Sequence, residues 1–490
     1  MQMPLALPYG FARRHGVLLH GEEGAVVCRH RDGLTVDTIL EVQRVVGGEI
    51  VFTRMDKSVF DALIDRSYGD RASDASEAAA DADSNADLAS LADSAAEVDD
   101  LLDSRDDAPV VRLINALLLQ AVREGASDIH IESSEKDLSV RFRVDGVLRD
   151  TLRPKRALAP LLVSRIKVMA RLDIAEKRLP QDGRVSLRIG GHDLDVRVST
   201  LPSQYGERVV MRLLDRSAAL LGLDRIGMTE RDHAAFLRVL DRPNGIVLVT
   251  GPTGSGKTTT LYGALSHLDD RQRNIMTVED PIEYALPGIA QTQVDSRTDL
   301  TFARGLRAIL RQDPDVIMVG EIRDTETAKI AVQASMTGHL MLSTLHTNSA
   351  IGAVTRLFDM GVERFLLAPM LSGLVAQRLV RRLCESCRRA DAASAADAAL
   401  LGGALKPGTA VWRAAGCDEC AGQGYRGRTA VYEVIAVDGR LERLIHEGAG
   451  EADLTAAVRA AGPSLLDDAI AKVKAGVTSI GEAARVARDD

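Results

Sequence analysis

Gly251-Pro-Thr-Gly-Ser-Gly256-Lys257-Thr258 follows an apolar run, Ile246-Val-Leu-Val249, and matches the phosphate-loop pattern GxxxxGK[ST] at every fixed position. The spacing has a chemical reason. Gly251, Gly254 and Gly256 let the loop through Pro252 bend so that successive backbone N–H groups, from Thr253 and Ser255 onward, curl round a phosphate, Lys257 adds a point charge for the β/γ oxygens, and the Thr258 hydroxyl can ligate Mg²⁺. A helix opening near Thr258 would add its positive N-terminal end. A nucleoside triphosphate, ATP with Mg²⁺, is the expected ligand, and the strand-loop-helix context makes an α/β fold the expected scaffold.

Downstream of the loop, apolar runs alternate with helical segments from about Asp224 to Ile351, as in a parallel α/β sheet. The runs Gly245–Thr250, Asn274–Val278, Val316–Val319 and Leu340–Leu345 each lie beside a polar cluster suited to a carboxyl end, where open α/β sheets bind ligands. The second leads into Thr277-Val-Glu279-Asp280-Pro281-Ile-Glu283, and the third, starting at Asp315, ends in Gly320-Glu321 as a Walker B element does. Glu279 and Glu321 are both candidates for orienting water or supporting magnesium, and the spacing does not choose between them. The fourth carries His339 and His346. Histidines in such a run are commonly core residues; beside a phosphate loop they become candidate γ-phosphate sensors.

The other cysteines apart from Cys28 form two pairs, Cys384-Glu-Ser-Cys387 and Cys417-Asp-Glu-Cys420. Together they can supply four thiolates to one tetrahedral Zn²⁺, a closed site with a structural role, with CxxC redox chemistry as the alternative. Nearby glycines at 416, 422, 424 and 427 indicate loops.

The 490 residues allow two to four domains of roughly 100–200 residues each. Net charge is −9, but residues 70–107 hold 13 acidic and 2 basic side chains, leaving the remainder at +2. This Ala/Asp/Ser/Glu stretch is too poor in large apolar groups to bury a core and reads as a flexible linker. The expected organisation is a small α+β module over 1–68, with a helix around Asp56–Ile64, then the acidic linker over 69–107. A domain over 108–223 and the ATPase domain over 224–490, with the cysteine excursion at about 383–428, complete it. In the 108–223 domain a helix is expected over Ala159–Leu172. Arg141, Arg143, Arg197, Arg208 and Arg212 alternate with apolar residues along its strands, and by pattern alone form a solvated sheet face. No run of about 18 apolar residues and no signal-peptide pattern is present, so a cytoplasmic protein is expected.

These elements, in this order, resemble the secretion ATPase superfamily of type II secretion and type IV pilus motors. The resemblance covers the chain after Pro109 and rests on Walker A (Gly251–Thr258), an aspartate box (Thr277–Glu283), Walker B (Asp315–Glu321) and a histidine box (His339–His346). It implies a RecA-like P-loop domain preceded by an Arg-bearing PAS-like domain, in which Arg197 and Arg212 reach the γ-phosphate across the domain boundary. Arg307, Arg311, Arg323 and Arg356 are similar to motor arginines with roles in assembly or catalysis. The opening Leu7-Pro-Tyr-Gly-Phe-Ala-Arg-Arg-His-Gly-Val-Leu-Leu19 resembles the type II, GspE-family branch. That branch implies a homo-hexamer, attached peripherally to the inner membrane through partners of the GspL and GspF types, driving pseudopilus assembly and protein export. A type IV pilus extension motor is the alternative within the superfamily. A nucleic-acid translocase is the alternative from another class, disfavoured by 8 Phe, 7 Tyr and 1 Trp in the whole chain, few of them near the arginines.

Overall fold

The computed structural model describes residues 15–22, 25–32, 34–46, 50–56, 59–60, 88, 108–189, 192–215 and 222–489. Nearly all of the acidic segment and most of the helix expected around Asp56–Ile64 lie outside these residues.

Near the N-terminus, β1 (Val17–Glu22) pairs antiparallel with β2 (Ala25–His30), which pairs parallel with β3 (Ile50–Arg54). Parallel pairing needs a crossover, and the helix Val36–Val46, which the sequence pattern alone does not announce, supplies it. Cys28 is fully buried among Val17, Leu19 and Phe60, and burial pushes its thiol up to about 11, as expected of an inert core cysteine.

The second sheet comprises β4 (Ala126–Ser133), β5 (Leu138–Val144), β6 (Val147–Leu152), β7 (Gln181–Ile189), β8 (His192–Ser203) and β9 (Gly206–Asp215). Its strands run antiparallel in the order β6-β5-β4-β9-β8-β7. Alternation decides which face is covered: Val140, Phe142 and Val144 of β5 are buried in one core with Leu113, Leu117, Leu162 and Ile166 from helices Ala108–Arg123 and Ala159–Met169. The arginines project from the other face. At the β5–β6 turn, Asp145 and Gly146 both take positive φ, 50° and 84°, which suits the right-handed twist of a two-residue hairpin. The helix expected to reach Leu172 stops at Met169, because Arg171 turns left-handed at φ 59°. There the chain passes so close to β7 that a Cβ on Gly183 would lie 2.6 Å from the Ala170 carbonyl oxygen.

The third sheet is built from β10 (Gly245–Thr250), β11 (Ile275–Glu279), β12 (Ala290–Gln293), β13 (Val316–Val319), β14 (Leu340–Leu345) and β15 (Leu371–Leu383). After the short pair β16 (Arg389–Ala392) and β17 (Ala410–Arg413), β18 (Tyr425–Ala436) returns to it. The order is β12-β11-β13-β14-β10-β15-β18, parallel throughout except for the antiparallel β15/β18 edge. Helices on both faces explain the unbroken apolar runs. Ile246 and Leu248 of β10 face one core, while Val247 and Val249 face the other.

A charged pair crosses the second domain's interior. Lys167 Nζ lies 2.5 Å from Glu207 Oε1 and donates to the Glu176 carbonyl at 2.7 Å, with both side chains almost fully buried. Removing one partner strands the other charge. Glu207→Ala should therefore cost about 3–5 kcal/mol in urea unfolding, whereas Lys167→Met with Glu207→Leu should restore most of it.

Candidate active site

The parallel sheet ends at one edge, and the phosphate loop leaves β10 there. Gly251, Gly254 and Gly256 adopt φ of 146°, 79° and 88°, conformations in which L side chains are strained. Space reinforces this at Gly251, where a Cβ would lie 2.5 Å from the Gln377 carbonyl oxygen. Gln377, on β15, donates from Nε2 to the Ser255 carbonyl at 2.7 Å and accepts from Thr260 Oγ1 at 2.7 Å, tying the loop to its neighbouring strand. Ser255 Oγ is buried without a hydrogen-bond partner among the described residues, as expected of a cradle built for a ligand rather than for itself.

Lys257 opens the helix Lys257–Leu268 and folds back over the loop, donating to the carbonyls of Gly251 at 2.7 Å and Pro252 at 3.1 Å. Burial, opposed by the charge of Glu321 and reinforced by that of Arg378, lowers its ammonium to about 8. Thr258 is exposed on the first turn of the same helix. Thr258 and Glu321 supply the hard oxygen donors that Mg²⁺ prefers.

Glu321 follows β13, and its carboxylate binds Arg323 through one oxygen and lies 3.4 Å from His346 Nε2 through the other. Burial, then the Lys257 charge, holds the His346 imidazole below its usual value, so it is neutral at neutral pH. His339 is a different matter. It precedes β14 at the opposite end, where its carbonyl accepts from the Gly245 amide and its Nδ1 lies 2.8 Å from the Ala334 carbonyl. With β14 a full strand long between them, the structure does not bring His339 to the loop; it is a turn-anchoring residue.

Glu279 ends β11 and is 3% exposed. Its carboxylate accepts from the hydroxyls of Tyr262 and Thr277, the latter at 2.5 Å, and from Gln291 Nε2 at 3.1 Å. Tyr262 and Gln291 carry no motif, and no sequence signal marks them out. From the second sheet, Arg197 reaches the aspartate box, donating to the Ile282 carbonyl at 3.1 Å and pairing with Glu283 at 2.7 Å. Arg212 stands opposite Arg197 in the β8/β9 register and is held by Asp128 at 2.9 Å within its own sheet. Of the other arginines singled out, Arg323 lies in the site, whereas Arg307 pairs with Glu326 and Arg311 donates to the Arg307 carbonyl. Arg356 sits in the last turn of the helix Ala350–Asp359. Two cavities flank the loop. One, of about 690 Å³, runs from Gly256 and Thr259 to Asp145 and Arg428; the other, of about 400 Å³, lies between Thr253, Arg378 and Arg485.

Farther along the chain, Cys384, Cys387, Cys417 and Cys420 converge between β15 and β18, all four sulfurs within 4.8 Å of one another. The separations of 3.9, 3.8 and 3.7 Å for the pairs 384/417, 387/420 and 417/420 agree with the ~3.8 Å edge of a tetrahedron with Zn–S bonds of about 2.3 Å. Backbone amides of Gly416 and Gly424 point at Cys387 and Cys420, the usual outer support of thiolate ligands.

Residues 103–485 match the family described as Type II/IV secretion system protein, and residues 6–68 match a domain family described for the N-terminal part of GSPII protein E. The chain belongs to the type II/IV secretion system protein family. Type II secretion system protein E of Pseudomonas aeruginosa is 56% identical over 487 residues, spanning 99% of this chain and 97% of that protein. Type II secretion system ATPase E of Vibrio cholerae is 53% identical over 487 residues, with the same coverage. Among solved structures, the pilus retraction motor PilT with bound ADP aligns at TM-score 0.52 and 25% identity over 76% of this chain and 96% of its own. The ATPase DotB of Legionella pneumophila, at TM-score 0.58 and 22% identity over 77% of this chain and 95% of its own, shares the fold. This member of the type II/IV family is thus a secretion ATPase of the type II class.

Its loop lysine makes nucleotide affinity pH-dependent in a defined direction. A folded ammonium that deprotonates near pH 8 must be recharged to meet a triphosphate, so affinity is full below that pH and falls as pH rises through it. The Kd for a non-hydrolysable ATP analogue should weaken about fivefold between pH 8 and pH 9, read by isothermal titration, with the fold monitored by circular dichroism.

Proposed function

We propose that this secretion ATPase hydrolyses ATP with Mg²⁺ as a hexameric motor that drives pseudopilus assembly, and with it protein export across the outer membrane. The observation that carries this reading is the reach of Arg197 from the second sheet onto the aspartate box at the edge where Lys257, Glu321 and His346 meet. A charge on one domain, docked on the other beside the phosphate loop, is what a hydrolysis-driven hinge requires.

The residues divide the work as follows. Lys257 exchanges the carbonyls of Gly251 and Pro252 for the β/γ oxygens of ATP. Thr258 and Glu321 would hold Mg²⁺, which when bound would neutralise charge building on the phosphates. Glu321 orients the attacking water, because it faces Lys257 and His346; the Glu279 carboxylate is already committed to Tyr262, Thr277 and Gln291. Neutral His346 accepts or donates one hydrogen bond at the γ-phosphate. On closure Arg197 leaves Glu283 and Arg212 leaves Asp128 for the transferring phosphoryl group, and loss of the γ-phosphate returns both arginines to their carboxylates. Domain movement then follows from exchange of anionic partners.

Among the described residues no helix is long and apolar enough to cross a membrane. A peripheral position at the cytoplasmic face of the inner membrane therefore calls for partners of the GspL and GspF types, with the segment over 6–68 as the docking module. The four cysteines hold a structural Zn²⁺.

Lys257→Ala should abolish phosphate release and secretion while zinc content and melting temperature stay unchanged; normal turnover would refute the assignment. Arg197→Ala should lower kcat by about 10³ or more, with analogue Kd changed less than about threefold, as for an arginine finger. For the metal, atomic absorption should find one zinc per chain, and Cys417→Ser should lose it together with local protease resistance.

A further inference from the structure

Tyr262 is 1% exposed, on the helix that begins with Lys257. Its hydroxyl donates to Glu279 Oε2 and accepts from the Glu283 amide at 3.3 Å, while Gln291 Nε2 lies 3.4 Å away. The ring packs edge-on against Tyr284, with centroids 4.6 Å apart at 83°. A buried tyrosine needs one partner for its hydroxyl. Here partners from both ends of the turn 279–283, and from β12, converge on that one oxygen.

That turn is where the second sheet docks, since Arg197 binds the Ile282 carbonyl and the Glu283 carboxylate. One phenol therefore links the phosphate-loop helix to the surface that Arg197 leaves on closure and returns to afterwards. Glu279 fits the same arrangement. Among the described residues its hydrogen-bond partners are two hydroxyls and an amide, a set that fixes the carboxylate's position. Burial and the Glu279 charge push the phenol's ionisation far up, so the hydroxyl stays a donor across the working pH range.

We propose that Tyr262 is a positioning residue for hydrolysis, coupling the phosphate-loop helix to the 279–283 turn so that Ile282 and Glu283 present a fixed dock for Arg197. The proposal rests on the reading that Arg197 acts in closure during turnover. It concerns coupling and not nucleotide affinity, because Tyr262 points away from the loop towards β11.

The test uses the full chain and three variants, Tyr262→Phe, Glu283→Gln and Arg197→Ala, singly and in pairs. Phenylalanine keeps the ring contact with Tyr284 and removes only the hydroxyl. Tyr262→Phe should lower kcat about tenfold or more while analogue Kd stays within about twofold. The defects should not multiply: Arg197→Ala should lower kcat less in the Tyr262→Phe background than alone, by about the factor that Tyr262→Phe costs by itself. Glu283→Gln, which removes the charge that Arg197 pairs with and leaves Tyr262 intact, should show the same non-additivity with Arg197→Ala, and keeps the dock testable if Tyr262→Phe folds poorly. A normal kcat for Tyr262→Phe, a change confined to Kd, or defects that multiply with Arg197→Ala in either pair would overturn the proposal. Normal turnover of Arg197→Ala alone would instead overturn the closure reading beneath it.

Discussion

Parallel pairing is the constraint on which the site depends. Because β10, β11, β13 and β14 run in one direction, their carboxyl ends arrive at one edge, and whatever residue follows each strand arrives with it. The phosphate loop, Glu279, Glu321 and His346 come from distant parts of the chain and meet for this reason. No local feature of any of them would bring that about. The same rule removes His339, whose place before β14 puts it at the amino edge, where turns and helix ends are anchored.

Charge is distributed at this edge in a way suited to an incoming anion. Lys257 rests on two carbonyls, Arg197 on Glu283, Arg212 on Asp128 and Arg323 on Glu321. Each cation has a partner, but one it can exchange. Partly exposed ion pairs of this kind are worth about a kilocalorie per mole or less, so a polyanion bound in a less hydrated cleft can outcompete them. The contacts between the second sheet and the aspartate box are weak enough to be traded.

What the amino-acid sequence makes legible follows from the range of the forces involved. The four central runs are read correctly to within a residue, because strands covered on both faces must be apolar throughout, and the phosphate loop because its glycines answer a local backbone demand. The cysteine cluster is equally legible, since the chemistry of thiolates dictates both residue type and spacing. Tyr262 and Gln291 are not, because a buried tyrosine and a strand glutamine look ordinary until the fold places Glu279 between them. The long β15/β18 pair is equally hidden. Leu371–Leu383 contains Gly373, Gln377 and three arginines, and the contacts of Gln377 with the loop, of Arg378 with the Asn348 carbonyl and of Arg381 with Glu482 account for polar residues in a strand. The choice between Glu279 and Glu321 cannot be read from spacing, since each lies at the end of a strand run; what the fold adds is the company each keeps, hydroxyls and an amide at Glu279, Arg323 and His346 at Glu321.

The β15/β18 pairing runs without a break from Gly373↔Ala436 to Arg381↔Arg428 and picks up again at Leu383↔Tyr425, immediately before Cys384. The cysteine module is therefore mounted at the tip of a hairpin whose stem is already closed by backbone bonds. The stem's far end is rooted beside β10, the strand that carries the phosphate loop. The cysteine module and the phosphate loop therefore hang from one ladder of backbone hydrogen bonds.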